Sequence, residues 1–353
     1  MLRCRVCALG DVPPSYWDLV GRYGAVYQTK PYLEALRCSG TQVRVALAYE
    51  GEQMQGGAAL TLDRHLGPIW YSVDAHYAPV VASPEQAPMV LKCIADRLRS
   101  RALRFSITPL PEYAPLFLST FDFSGWSKTE SAYLVWDIAP DLSELTKDLP
   151  KGKKAAIKRA LRENVVVQEI ETADHVEEFY RLHHMSMTRG ESLQAAPLRY
   201  YQCLFEMLRP QGMSAGFLAL HPSTRQPIAA VVLLLGPNKR AVYRSVGHDY
   251  AYRQLGATDL LVSTSLQYLK ERGYTKFDLV GLPLGDSARA QGIRHSKVAW
   301  AGAHGVEYRS CTCSRSMPGI GLATRCLKGF LGILKKKTSA DTQATVEPDP
   351  PSR

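Results

Sequence analysis

The sequence has no apolar run approaching the roughly 20 residues that a membrane-spanning helix needs. Its first residues, MLRCRVCALGDVPP, lack the long apolar centre of a signal peptide, so the expectation is a cytoplasmic protein. The eight cysteines, at 4, 7, 38, 93, 203, 311, 313 and 326, are too scattered for the disulfide framework of a small secreted domain, and most are expected to be reduced and buried. Cys4 and Cys7 make one C-x-x-C, but Cys311 and Cys313 have the wrong spacing to complete a zinc knuckle, and no metal is expected. His183 and His184 are adjacent and cannot share one helix face, which argues against a paired metal site there too. Acidic residues are the scarcer sign: 33 Asp and Glu against 43 Lys and Arg leave a net charge of +10. That balance favours an anionic partner, whether nucleic acid, a phosphorylated small molecule or an anionic membrane surface, and does not choose among them.

What is present is a chain of 353 residues, 46% hydrophobic and 22% charged, long enough for two domains with ordinary cores. Its organising stretch runs from Ile228 to Gly281. The apolar run Ile228 to Leu235 fits a strand buried on both faces, Pro237-Asn238 supplies a turn, and Arg240 to Val246 is the returning strand. Val262, Leu266 and Leu269 then form a helical stripe that stops at Gly273, and Lys276 to Val280 reads as another strand. An earlier stretch has the same order: a hairpin from Val43 to Leu62, a strand at Trp70 to Val73, a helix from Pro84 to Arg101 and a strand at Leu103 to Ile107. The interval from Tyr71 to Tyr243 equals that from Phe105 to Phe277, 172 residues, which points to domain duplication. The expected class is α/β (α+β) with two tandem domains, residues 1–145 and 146–317, each a mixed sheet flanked by helices, followed by a tail over 318–353. Gly281 to Arg294 is expected to be a loop, with strand structure returning from Arg294 onward.

Between the copies, Lys151 to Arg162 predicts a basic amphipathic helix, with Ile157, Ala160 and Leu161 on one face and Lys153, Lys154, Lys158, Arg159 and Arg162 around the rest. Clustered cations of this kind gain affinity for phosphates by counterion release, which makes these residues, with Arg244, candidates for substrate or nucleic-acid binding. A second basic amphipathic stretch, Gly319 to Lys337, reads as a packed terminal helix or a peripheral membrane contact on the inner face. Tyr243 and Asp278 stand at the ends of two strands expected to be neighbours, where they could orient an amine or relay its proton.

The duplicated unit, together with VYRSVGHDYAYRQLGATDLLVSTSLQYLKERGYTKFDLVG and the following IRHSKVAWAG, resembles the Fem-type branch of the GNAT N-acyltransferase superfamily. The likeness rests on a K-x-x-x-I-x-x-A-x-x-x-x-V segment (Lys153, Ile157, Ala160, Val165), a Tyr-x-x-Gly-like strand end, a Phe-Asp-x-x-Gly strand and a motif around Lys297, and it spans roughly residues 25–315. Ser296 stands where the pattern has Phe, one extra residue separates Trp300 from Gly302, and only Arg37 lies near Leu36, where the pattern has a lysine for a phosphorylated acceptor.

The resemblance implies tandem GNAT-like domains and transfer of an aminoacyl group from aminoacyl-tRNA to an amine of a cell-envelope (peptidoglycan) precursor or small-molecule acceptor, phosphorylated or saccharide. It assigns Lys297 to the tetrahedral oxyanion. Arg253, Gly256, Ala257 and Thr258 resemble the GNAT loop whose amides cradle the pyrophosphate of CoA, which keeps an acyl-CoA-dependent N-acyltransferase open as the alternative. No permanently bound cofactor is expected, only one of these two co-substrates. A non-catalytic duplicated binding protein is the third reading.

Overall fold

A computed structural model describes residues 2–66, 70–98, 102–120, 125–189 and 195–316. In chain order its elements are β1 (Arg3–Cys7), α1 (Pro14–Tyr23), α2 (Lys30–Cys38), β2 (Gln42–Glu50), β3 (Gln53–Leu66), β4 (Trp70–His76), β5 (Val80–Val81), α3 (Ala87–Leu98), β6 (Ala102–Thr108), α4 (Ala114–Thr120) and β7 (Ser127–Asp137). There follow α5 (Leu142–Lys147), α6 (Lys151–Arg162), β8 (Val166–Glu169), α7 (Ala173–Thr188), α8 (Leu198–Leu208), β9 (Ser214–Leu220), β10 (Pro227–Leu235), β11 (Arg240–His248), α9 (Ala257–Glu271), β12 (Lys276–Leu282), α10 (Ala288–Ala301) and β13 (Gly305–Ser316). The expected stretch Gly319 to Lys337 lies outside the described residues.

The duplication is visible as topology. β2, β3 and β4 form an antiparallel meander, α3 crosses over, and β6 returns parallel to β4; β9, β10, β11, α9 and β12 repeat the course. A parallel return requires such a crossover. The equal interval is corrected in part: Phe105 faces Val73 and Phe277 faces Ala241, so β4 and β11 correspond at 168 residues, and Tyr71 is not the counterpart of Tyr243. The segments between each middle strand and its return strand differ in length by four residues, which a repeat read from Tyr and Phe alone does not reveal.

All strands but β5 lie on one path, β1-β2-β3-β4-β6-β13-β7-β12-β11-β10-β9-β8. The halves exchange their last strands: β7, from before the residue 145 division, pairs with β12, and β13, the last described strand, pairs with β6. Strand alternation divides the core. Val45 and Leu47 of β2 share one cluster with Val232, Leu234 and Val242 of the second half and with α1, α2, α7 and α8, whereas Val231, Leu233 and Phe277 face α9 and Trp300 on the opposite side. The shared cluster joins the halves.

One expectation changes, and one bond is added. The loop expected over Gly281 to Arg294, and the strand expected from Arg294, give way to α10, capped by the Ser287 hydroxyl accepting from the Ala290 amide. This helix buries only Trp300 and Ala301, so its sequence has no apolar stripe to read. Cys38 and Cys203 form a disulfide across the halves, with Cα atoms 5.8 Å apart, although 165 residues separate them. Cys4, Cys7, Cys93, Cys311 and Cys313 are free thiols. Cys4 and Cys7 on β1 are separated from Cys311 and Cys313 on β13 by four strands, β2, β3, β4 and β6, so the two pairs do not meet.

Candidate active site

β11 and β12 run side by side for only three residue pairs, Arg240 with Lys276, Ala241 with Phe277 and Val242 with Asp278, and then diverge. Two local features open the gap. On β11, Tyr243 faces Leu233 and Ser245 faces Val232, leaving Arg244 as the extra residue of a bulge, a device that re-aims a side chain and bends the strand. On β12, pairing with β7 is irregular between Asp278 and Gly281, and Val280 has φ +55°, a left-handed conformation that β-branched residues avoid. Beyond the gap's origin, β11 takes partners from α7: His183 Nδ1 donates to Val246 O at 2.9 Å and the His248 amide donates to Ser186 Oγ at 2.9 Å. In the first half, β4 and β6 stay paired from Tyr71 to His76, so the opening belongs to the second copy.

The first half fills part of this gap with tyrosines. Tyr77, itself at φ +51°, donates its hydroxyl to Asp278 Oδ2 at 3.0 Å, and Tyr27 packs edge-on against both Tyr77 (5.1 Å) and Tyr32 (5.3 Å). Asp278 is fully buried. Arg240 donates to its Oδ2 at 2.9 Å and the Val280 amide to its Oδ1 at 2.8 Å. Burial raises the Asp278 pKa, with Arg240, the Val280 amide and Tyr77 pulling the other way. Arg240 also donates to Glu112, which Lys276 meets at 2.9 Å. Lys297, on α10, donates to Gly281 O at 2.7 Å. Burial brings its pKa down to about 8 against the opposing charge of Asp278.

The structure therefore places Lys297 within electrostatic reach of Asp278. Tyr243 projects to the other face of the sheet, where its ring meets Phe277 edge-on at 5.9 Å and burial raises its pKa. Strand alternation explains the separation, since Tyr243 follows Val242, whose partner is Asp278.

The Arg253–Thr258 loop is a short 3-10 turn entering α9, with Gly256 at φ +72°. α6 lies on it. A Cβ added at Gly256 would fall 2.4 Å from the Ala156 carbonyl oxygen, and Arg159 donates to Gln254 O at 3.0 Å. Arg253 folds back over Tyr250, 4.2 Å from its ring centroid. Ala257 is buried and Thr258 half-buried in the first turn of α9. Lys153, expected on an outer basic face, instead pairs with Asp259 at 2.6 Å and donates to Ser296 Oγ at 3.0 Å, while Trp300 Nε1 donates to the same Asp259 oxygen at 3.2 Å. Its long side chain reaches across to α9 and α10, and Asp259 in the first turn of α9 supplies the countercharge. Lys154, Lys158 and Arg162 face solvent.

Arg244 lines a cavity of about 300 Å³ between the halves, with Tyr27 and Tyr32 from the first half and Tyr200 from α8. Its Nε donates to the Tyr200 hydroxyl at 3.1 Å, and that hydroxyl lies 3.3 Å from the Tyr32 hydroxyl. Among the described residues no carboxylate pairs with it. Sequence reasoning found Arg244, Asp278 and Lys297 but not Tyr27, Tyr77, Tyr200 or Arg240. Sequence position gives no hint that Tyr77 meets Asp278, 201 residues away.

No curated protein matches the sequence. Residues 151–289 match the acetyltransferase (GNAT) domain family. Among solved structures the chain is similar to FemX, at 12% identity and TM-score 0.66 over 85% of this chain and 95% of that one. It is similar also to a tandem GNAT protein from the clavulanic acid biosynthesis pathway, at 14% and 0.55 over 90% and 98%, and to L-PGS from Bacillus licheniformis, at 13% and 0.54 over 87% and 92%. At these identities the solved structures speak to fold. No helix among the described residues is long and apolar enough to cross a membrane. Residues 151–289 thus form a GNAT acyltransferase domain, and the chain that carries it has a fold like that of FemX and the tandem GNAT protein.

Proposed function

We propose that this chain moves an aminoacyl group from aminoacyl-tRNA to an amine of a small-molecule or cell-envelope acceptor held between its halves. The observation that carries the choice of donor is the seat of α6. A CoA pyrophosphate would need the amides at the start of α9, and the Ala156 carbonyl stands against Gly256 there. A nucleic-acid donor needs no such cradle. Lys154, Lys158 and Arg162, exposed on α6, offer a phosphate-binding surface whose affinity falls with salt.

Attack of a neutral amine on the ester carbonyl forms the N–C bond and a tetrahedral oxyanion; its collapse breaks the ester C–O bond, and the proton given up by the amine ends on the departing tRNA hydroxyl. Lys297 supplies the cation for that oxygen, from a position fixed by Gly281 O at the mouth of the gap. Asp278 and Arg240 hold the end of β12 beneath it. An acyl-CoA donor is the second reading, favoured by the turn at Gly256 leading into a 15-residue helix. It requires α6 to move away.

The test offers the purified chain charged tRNA and a panel of acyl-CoA thioesters and follows loss of donor. Consumption of charged tRNA that ribonuclease abolishes is the expected result; consumption of a thioester, indifferent to ribonuclease, overturns the donor assignment.

A further inference from the structure

The cavity beside Arg244 contains a second unpaired charge. Asp74, on β4, lines it from the first half, and among the described residues its carboxylate has no ion-pair or hydrogen-bond partner. Val73 and Ala75 face the core on the far side, so alternation sends Asp74 and His76 to the face shared by the two halves. Asp74 and Arg244 do not pair with each other, though both line the cavity together with His76. Two opposite charges held apart in one cavity leave each costly to desolvate unless a ligand answers both.

The chemistry of the walls narrows the ligand. Arg244 has given only its Nε to Tyr200, so the other guanidinium N–H groups are available for a planar acid group. Thr41 and Thr61 lie with Asp74 both in this cavity and in an adjoining groove of about 520 Å³, whereas Arg244 lines the cavity alone. Asp74 thus stands at the junction of the two spaces. A volume of about 300 Å³ sits at the lower end of small-molecule sites. One cation and one anion suit a ligand of zero net charge. A phosphate dianion would meet a single arginine and be repelled by Asp74, which is discrimination by an unmatched charge.

We propose that this cavity binds a zwitterion, an amino acid or the end of a short peptide, with its carboxylate on Arg244 and its ammonium on Asp74. That the bound molecule is the acceptor rests on the function proposed above, and requires its ammonium to give up a proton before it attacks; its binding does not.

Calorimetric titration of the full chain, with no donor present, tests this using L-alanine and L-lysine against propionate, ethylamine and O-phosphoethanolamine. The amino acids are expected to bind at least about tenfold more tightly than either single-charge probe. Asp74→Asn should cost L-alanine about the same factor and leave propionate unchanged or tighter, while Arg244→Gln weakens both acids. The Asp74 carboxylate has no hydrogen-bond or ion-pair partner among the described residues, its backbone carbonyl alone accepting from Thr61, so Asp74→Asn should keep the wild-type melting midpoint, and it carries the test if Arg244→Gln fails to fold. Propionate binding as tightly as L-alanine, an unaltered L-alanine affinity in Asp74→Asn, or no amino-acid binding at millimolar concentration overturns the proposal. Tighter binding of O-phosphoethanolamine overturns the carboxylate assignment. Amino-acid binding without any donor consumption would sink the proposed function alone, and transfer to an acceptor that none of these probes displaces would sink this inference alone.

Discussion

Asp278 and Arg240 meet at 2.9 Å with 0% and 6% of their side-chain surface exposed. Such a pair contributes little net stability over an apolar one, but removing one partner strands the other. Asp278→Ala would leave Arg240 and Tyr77 without the oxygen that both address, at a cost of about 3–5 kcal/mol. Asp278→Asn, which keeps one carbonyl oxygen, should lose less. Urea unfolding measures both. An unshifted midpoint in either variant, with activity gone, would move Asp278 from holding β12 to taking part in the chemistry.

The role proposed for Lys297 predicts a pH dependence. Because burial brings its pKa down to about 8, the ammonium form declines as pH rises through that value. If the ammonium serves the oxyanion, single-turnover transfer falls above about pH 8, and Lys297→Arg, which stays charged, carries activity to higher pH. Lys297→Ala should lower the rate by about 10²–10³-fold, the usual cost of one oxyanion donor. A wild-type rate that instead climbs through this range would mark the neutral amine as a base. The same shift acts on stability: above about pH 8 the unfolded chain binds a proton that the folded chain has released, so unfolding becomes costlier towards the ordinary lysine range.

Much of this was legible where local pattern sets local structure. α6 begins and ends at Lys151 and Arg162, as its amphipathic pattern predicts, and the β10–β11 hairpin and α9 follow from an apolar run, a turn and a stripe. α10 was not legible because it packs by its last turn only. The site divides the same way. Charged residues on the repeated unit announced Arg244 and Asp278, and the family resemblance announced Lys297, but whether they act together depends on a bulge and on one left-handed valine. Lys153 shows the converse, a residue whose charge suggested a solvent face and whose length took it to Asp259.

Gly256 reports on α6. Its φ of +72° disfavours any side chain, and a methyl group there would press on the Ala156 carbonyl oxygen. Gly256→Ala should therefore cost about 1–3 kcal/mol by backbone strain, with more from displacement of α6. Chemical denaturation supplies the number. Hydrogen exchange across 151–162 supplies the location, since exchange should quicken in α6 if the contact holds it down. Unchanged exchange there would mean that α6 is not seated on the loop, and would reopen the start of α9 to a CoA donor.

The Cys38–Cys203 disulfide joins the two walls of the Arg244 cavity. Cys38 ends α2, which brings Tyr32, Leu33 and Leu36 to that cavity, and Cys203 lies on α8, three residues after Tyr200. Closing a link across 165 residues restricts the unfolded chain, and a native bridge of this kind contributes about 2–4 kcal/mol. Reductant, or Cys38→Ser with Cys203→Ser, should lower the melting midpoint by a corresponding amount. Because α2 and α8 also meet through packed side chains, the reduced chain should remain folded, with the cavity walls freer to separate. Amino-acid affinity should then fall, while the nucleic-acid affinity proposed for α6 should not. Calorimetric melting with and without reductant, paired with mass-spectrometric mapping of free thiols, separates the cases. A mapped disulfide whose reduction leaves both midpoint and affinity unchanged would mean that packing alone sets the distance between Tyr32 and Tyr200.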